Sequence, residues 1–221
     1  MKTFVLILLL FPCLVSAQEW SLGFKTVPQT SVCFRENTPI PGMSLTSSIN
    51  TSFGLNYNFC YNLRSYYSHS KNSFSVELLY LSDQFHYTMK NVESSQVDYS
   101  IQSLELPVLF HSRSEDAGLY GEIGMGYWIT LNRTVVPGTV APALRFNDSN
   151  VDGIAGFGFD CKATKSIMIN IGARAYYPLF DQTQRMPQNT EYNPLHLMRT
   201  GLSLGFLYYF DYFHKNNHHH R

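Results

Sequence analysis

TSFGLNYNFCYNL, residues 51–63, alternates along its whole length. Ser52, Gly54, Asn56, Asn58, Cys60 and Asn62 fall on one side of the alternation. Phe53, Leu55, Tyr57, Phe59, Tyr61 and Leu63 fall on the other. A period of two marks a β-strand, because successive side chains of a strand point to opposite faces. Asn and Gly are depleted in ordinary strands. Three Asn on one face, opposite a row of aromatic and aliphatic residues, call for a wall with one polar and one strongly apolar side.

The same pattern returns along the chain. In SIMINIGARAYY, Ile167, Ile169, Ile171, Ala173, Ala175 and Tyr177 oppose Met168, Asn170, Gly172, Arg174 and Tyr176. LYGEIGMGYWITL sets Leu119, Ile123, Met125, Tyr127, Ile129 and Leu131 against Tyr120, Glu122, Gly124, Gly126 and Trp128. VDGIAGFGFDC, SLELPVLF, FSVELLYLSD, WSLGFK and MRTGLSLGFLYYF behave alike. Leu79, Leu81, Ile154 and Leu207 interrupt the polar side. Eight strands are expected, near 19–27, 49–63, 74–88, 99–111, 118–132, 151–163, 166–179 and 197–210, and no segment carries an apolar stripe at helical spacing. Pro107 cannot donate to a β-ladder, so a bulge or bend is expected there.

Composition says what surrounds such a wall. The chain has 221 residues, with 16 Lys plus Arg against 16 Asp plus Glu, so no net charge points to nucleic acid or to an acidic partner. Charged residues make up 14%, against about 25% in a typical soluble domain. Aromatics reach 15%. A soluble barrel such as a lipocalin also alternates, but its outward face would carry Lys and Glu. Here the apolar faces lack Lys, Arg, Asp and Glu, and nearly all strand charges share the other side. An Arg or Lys facing lipid costs roughly 2–4 kcal/mol near the bilayer midplane, enough to keep one face clean. The expected connections also differ by end: 28–48, 89–98, 133–150 and 180–196 are long, whereas the one around ATK is very short, SRSEDAG is modest and RSYYSHSKN is the least short of this second group. Long loops at one end and short turns at the other belong to barrels of the bacterial outer membrane. The fold expected is all-β, an eight-stranded antiparallel up-and-down transmembrane β-barrel.

MKTFVLILLLFPCLVSAQ at the N-terminus has Lys2, an apolar run from Phe4 to Leu14 and the small-residue site Val15-Ser16-Ala17. The run is shorter than the ~20 residues of a membrane helix, so residues 1–17 read as a secretory signal peptide cleaved before Gln18. Pro12 fits poorly with lipid attachment at Cys13. The domain plan is then a barrel over 18–210 and a polar tail over 211–221. Cys33, Cys60 and Cys161 remain after cleavage, an odd number; Cys60 and Cys161 fall on opposite faces of their strands, which argues against a bridge between them.

The polar faces carry Lys25, Glu77, Asp83, Glu105, Glu122, Asp152, Asp160, Arg174 and Arg199. The interior of an eight-stranded barrel is just wide enough for side chains to fill, and buried charges must pair. Arg174 and Arg199 are therefore expected to meet Glu77, Glu105 and Glu122 in a structural lumen network. The alternatives are an ion path or an acid/base pair. No nucleophile–base spacing accompanies these carboxylates, so no catalytic residue is assigned and the chain is read as a non-enzyme. His69, His86, His111 and His196 are scattered, and HHH at 218–220 lies in the polar tail, so no metal site is assigned. GEIGMG sits inside a strand pattern without the strand–turn–helix context of a phosphate loop, and no cofactor is implied. The sequons at Asn50, Asn132 and Asn147 mean little in a bacterial setting.

From EWSLGFK to LSLGFLYYF the chain resembles the outer-membrane β-barrel domain proteins of Bacteroidota, the group that includes PorT-like proteins. SLELPVLFHS, with Glu105, Leu106, Pro107 and Val108, resembles that family's fourth strand. GLYGEIGMGY is similar to the Gly-rich strand that follows. INIGARAYYPLFD resembles its penultimate strand, with Arg174, Tyr176 and Tyr177 in place. The resemblance implies residence in the cell outer membrane and brings no catalytic residues. It also implies an alternative role as accessory component of a protein secretion or assembly machine. The chain departs from the common barrel pattern at its end, where Phe210 is followed by DYFHKNNHHHR. The expected partners are outer-membrane lipid and either an extracellular ligand or an envelope-complex protein, with the barrel as a monomer. The primary role expected is structural or binding, through the long extracellular loops.

Overall fold

The computed structural model describes residues 20–33, 43–47, 49–61, 70–89, 97–114, 118–136, 145–164, 166–184 and 195–210. All the regular elements among them are strands: β1 Trp20–Cys33, β2 Met43–Ser47, β3 Ile49–Tyr61, β4 Ser70–Met89, β5 Val97–Ser114, β6 Leu119–Val136, β7 Ser149–Lys162, β8 Ile167–Pro178 and β9 Leu197–Tyr209. The signal-peptide span 1–17, the tail 211–221 and part of each expected long loop lie outside the described residues.

Every ladder is antiparallel. β3 pairs with β1, β1 with β9, and the order runs on through β8, β7, β6 and β5 to β4, which returns to β3. The sheet is closed. β2 is no additional wall member: it pairs with Phe85–Met89 of β4, directly beyond the stretch that β3 pairs with, and its register to β4 is offset by one residue from that of β3. The wall is thus eight-stranded, with one strand made of two pieces. Closure leaves no sheet edge along the wall, which hydrocarbon would not tolerate.

Two strands run well beyond their expected ends. β1 runs on to Cys33 and β6 to Val136, into segments that composition alone assigned to loops. In β1, Pro28 stays in register with Thr51, while the ladder to β9 lapses at Val27 and Pro28, where proline has no N–H to give. The irregularity expected at Pro107 lies elsewhere. Pro107 pairs in unbroken register with Gly126, and the register shift between β5 and β6 falls between Gln102 and Ser103. The missing N–H of Pro107 is tolerated because the β4–β5 ladder lapses between its Val76↔Val108 and Leu79↔Glu105 pairs.

The two faces separate cleanly. Leu22, Phe24, Phe53, Leu55, Phe74, Leu78, Ile123, Met125, Phe157, Ile171, Leu202 and Phe206 all point outward, Phe157 at 70% exposure. The inward face buries Lys25, Asn56, Glu77, Glu105, Glu122, Asp152, Arg174 and Arg199. The four residues that interrupted the polar pattern, Leu79, Leu81, Ile154 and Leu207, are buried on this inward side too. Leu109, Ile154 and Tyr176 pack together there. The interior of so narrow a barrel is a packed core, and apolar side chains fill the space between its charged groups.

Candidate functional site: the charged lumen

Inside the wall the ionisable side chains form three groups. The central one is built on Arg174 of β8. Its Nε donates to Glu122 Oε1 at 2.6 Å and its Nη2 to Glu122 Oε2 at 2.9 Å. Its Nη1 and Nη2 donate to Glu77 Oε2 and Oε1 at 2.6 and 3.0 Å. One guanidinium therefore holds two carboxylates, each by two bonds, using the planar fork that suits arginine to this task. Lys25 Nζ adds a bond to Glu77 Oε1 at 2.9 Å and lies 3.9 Å from Glu122, and Asn56 Nδ2 donates to Glu77 at 2.7 Å. Two cations meet two anions, and side-chain exposure in the group is at most 4%.

The second group lies toward the end of the barrel away from the chain termini. Arg199 of β9 donates through Nη2 to Glu105 Oε2 at 3.0 Å and to Asp152 Oδ2. Trp128 Nε1 donates to the other oxygen of Asp152 at 3.3 Å. Tyr176 joins the two groups: its hydroxyl accepts from Arg174 Nη1 at 3.3 Å, and the Arg199 guanidinium sits 4.6 Å from its ring centroid.

The third group lies toward the chain termini. His111 Nε2 is 3.4 Å from Asp160 and its Nδ1 is 3.8 Å from Glu122, with the ring stacked on Tyr120 at 4.3 Å. Asn170 bridges Asp160 and Tyr120, donating to the first at 2.7 Å and accepting from the second at 3.1 Å. Arg113 stands 3.5 Å from Asp160. Among the described residues no group of His, Cys, Asp and Glu is placed to hold a metal ion.

Glycine makes this crowding physically attainable. A Cβ at Gly172 would stand 2.1 Å from the Tyr120 hydroxyl, and one at Gly156 would stand 2.6 Å from Glu122 Oε1. The Gly-rich inward faces of β6, β7 and β8 are where neighbouring strands lodge their large polar side chains.

The five residues singled out from sequence all lie inside the barrel. Arg174 is brought to Glu77 and Glu122 and Arg199 to Glu105, in two groups that Tyr176 joins. Sequence reasoning left Lys25, Asn56, Asp152, Asp160 and Tyr176 on the polar face without assigning them partners, and it gave His111 no part in the lumen. Tyr176 had a readable signal, since it lies two residues from Arg174 and so on the same face. Cross-strand partners such as His111 and Asp160 carry none, because strand periodicity does not give register.

Space remains at both ends of the packed layer. A cavity of about 20 Å³ toward the termini is lined by Lys25, His111, Arg113 and Asp160. One of about 40 Å³ toward the far end is lined by Asp83, Ser103, Trp128 and Arg199. Phe146 closes over the second, packing on Phe85 and Tyr99 at 5.1 and 5.3 Å between centroids. It is held there by a bridge to Thr183 and by the Asn147 N–H donated to the Gln182 carbonyl at 2.8 Å.

A closed antiparallel wall, apolar outside and charged inside, is a transmembrane β-barrel of the outer-membrane type. Residues 17–184 match the family described as outer membrane protein beta-barrel domain, and the chain belongs to that family. No curated protein matches it significantly. Among solved structures it is similar to the outer membrane protein OprG from Pseudomonas aeruginosa, at 14% identity over 87% of this chain and 95% of that one, with a TM-score of 0.42. Neisserial surface protein A is similar at 9% identity over 86% and 97%, TM-score 0.46. The attachment invasion locus protein Ail of Yersinia pestis is similar at 12% identity over 86% and 97%, TM-score 0.37.

Proposed function

We propose that this outer-membrane barrel is closed by a side-chain plug and serves a structural or binding role through the connections at the end opposite its termini, with those connections outside the cell. The observation that carries the plug is Arg174, which clamps Glu77 and Glu122 across the lumen with four hydrogen bonds. A diffusion pore would need an open bore there. Planar-bilayer recording tests the reading: the native barrel gives no steady conductance, and sustained conductance by the unaltered protein would refute it.

The reading is also that of a non-enzyme. Both ring nitrogens of His111 face carboxylates, although Ser73 is its register partner across the ladder, so the imidazole is used as a cross-link rather than as a base for a hydroxyl. A secretory leader over 1–17 fits export to this membrane and is tested by the N-terminus of the mature protein. Membership of the PorT-like proteins of Bacteroidota, with an accessory role in secretion or assembly, is the second reading. It is supported by the sequence resemblance of β5, β6 and β8, and co-purification with a large envelope complex tests it.

A further inference from the structure

Away from the termini, β4, β5 and β6 outrun their neighbours at 20, 18 and 18 residues, against 12–14 in β7, β8 and β9. On the outward face of this extension the chemistry changes within one rung. Tyr80–Leu104–Ile129 is an apolar rung of the lipid-facing band. Ser82–Gln102–Asn132 comes next and Gln84–Ser100–Thr134 follows, with the His86–Asp98 pair beyond. The intervening Leu81, Phe85, Tyr99 and Ile101 turn inward and are buried, so the outward residues of β4 and β5 here are polar, and Asn132 and Thr134 continue them on β6 before Val136 pairs with Asp98. The bulge opposite Gln102 is what brings Leu131 and Asn132 outward in succession at the boundary.

We propose that this sideways-facing grid binds sugar units of the lipopolysaccharide that surrounds the barrel in the outer leaflet. The inference rests on the orientation given under the proposed function. Its side chains are amides, hydroxyls and an imidazole, groups that both donate and accept hydrogen bonds, as sugar hydroxyls do. None is Lys or Arg, the residues that recognise phosphate. Between the Gln84–Ser100–Thr134 rung and the His86–Asp98 pair lies a depression of about 220 Å³, with Phe85 and Tyr99 also in its lining. That is smaller than the roughly 300–1,000 Å³ of sites for drug-sized ligands and suits a single sugar ring. Position selects the source. The grid continues the outward surface of the same three strands and looks along the membrane, so its nearest neighbours would be the head groups of glycolipids whose chains pack on the rung of Tyr80, Leu104 and Ile129.

The test uses the full barrel refolded in detergent, titrated with lipopolysaccharide carrying its core sugars, with lipid A alone and with free core oligosaccharide. Binding is read by native mass spectrometry. Core-bearing lipopolysaccharide should bind more tightly than lipid A. Gln84→Ala/Thr134→Ala should weaken the core-bearing form roughly tenfold, the factor expected for two ordinary hydrogen bonds, and leave lipid A binding unchanged. Gln84→Ala alone serves where the pair folds poorly. Equal binding of the two glycolipids, or an unaltered titration of the variant, overturns the proposal; tighter binding of the free oligosaccharide than of the glycolipid overturns its source. Labelling of Thr134→Cys on intact cells by an impermeant maleimide, above the unsubstituted protein, reads orientation separately. No labelling defeats the orientation; labelling without sugar dependence defeats only the sugar site.

Discussion

At the scale of single residues, Arg174 shows what a buried ion pair does and does not contribute. Removing a guanidinium and two carboxylates from water is costly, and replacing such a set by neutral side chains of similar volume is often free of penalty. Breaking it is another matter. Arg174→Ala leaves Glu77 and Glu122 buried with Lys25 as their remaining cation, and a loss of about 3–5 kcal/mol follows. Arg174→Met combined with Glu77→Gln removes one charge of each sign and leaves Lys25 beside Glu122, 3.9 Å away, so most of that loss should be regained. Urea unfolding in detergent, followed by the change in gel mobility of unboiled samples, measures both. Equal destabilisation by the single and the double variant would show that packing, not charge balance, carries the cost. Gly172 makes a sharper steric case. Its Cβ would meet the Tyr120 hydroxyl at 2.1 Å and the Phe157 carbonyl oxygen at 2.6 Å, so Gly172→Val should prevent folding or cost several kcal/mol, and Tyr120→Phe, which removes only the first of these contacts, should restore no more than a part of it in the double variant.

At the scale of a strand, the outward face of β6 is the plainest test of what surrounds the wall. Ile123 and Met125 point away from the lumen at 64% and 60% exposure. In water, Ile123→Lys would be close to neutral. In a bilayer it should cost roughly 2–4 kcal/mol, read as a lower urea midpoint in lipid vesicles against a smaller change in detergent. The strands were also the most legible part of the sequence. Alternation located all eight wall strands, because each must keep charge off one face. It failed at their far ends, where β1 and β6 continue as paired strands through Pro28 and Thr30 and through Asn132 and Thr134, so no row of large apolar residues remains to mark them. It also failed for register. Nothing in GFGFDC or LFHSRS says that His111 will meet Asp160, since that contact depends on how β5, β6 and β7 stagger in the closed sheet. The candidate network was legible to the same limit: which charges face inward could be read, whereas the split of Arg174 and Arg199 into two groups joined by Tyr176 could not.

At the scale of the whole molecule, closure depends on the first and last strands. Ser21 pairs with Tyr209 and Cys33 with Leu197 along the β1–β9 ladder, and β9 also supplies Arg199 to the lumen. Until β9 docks, β1 and β8 each present an open edge, and the charges on β5 and β7 lack their cation. Hydrocarbon tolerates neither an open edge nor an unpaired charge, so folding should be all-or-none with respect to this last strand. A chain ending at residue 196 should therefore not yield a smaller stable barrel. It should pellet on refolding into vesicles and run at one mobility whether boiled or not, whereas the full chain runs faster unboiled. Adding a peptide of residues 197–210 in trans provides the control, because it restores both the ladder and Arg199. Recovery of the fast band would show that the missing element is the closing strand. A truncated chain that gave the fast band by itself would mean that seven strands can close, and the pairing of β1 with β9 would then not be what seals the wall.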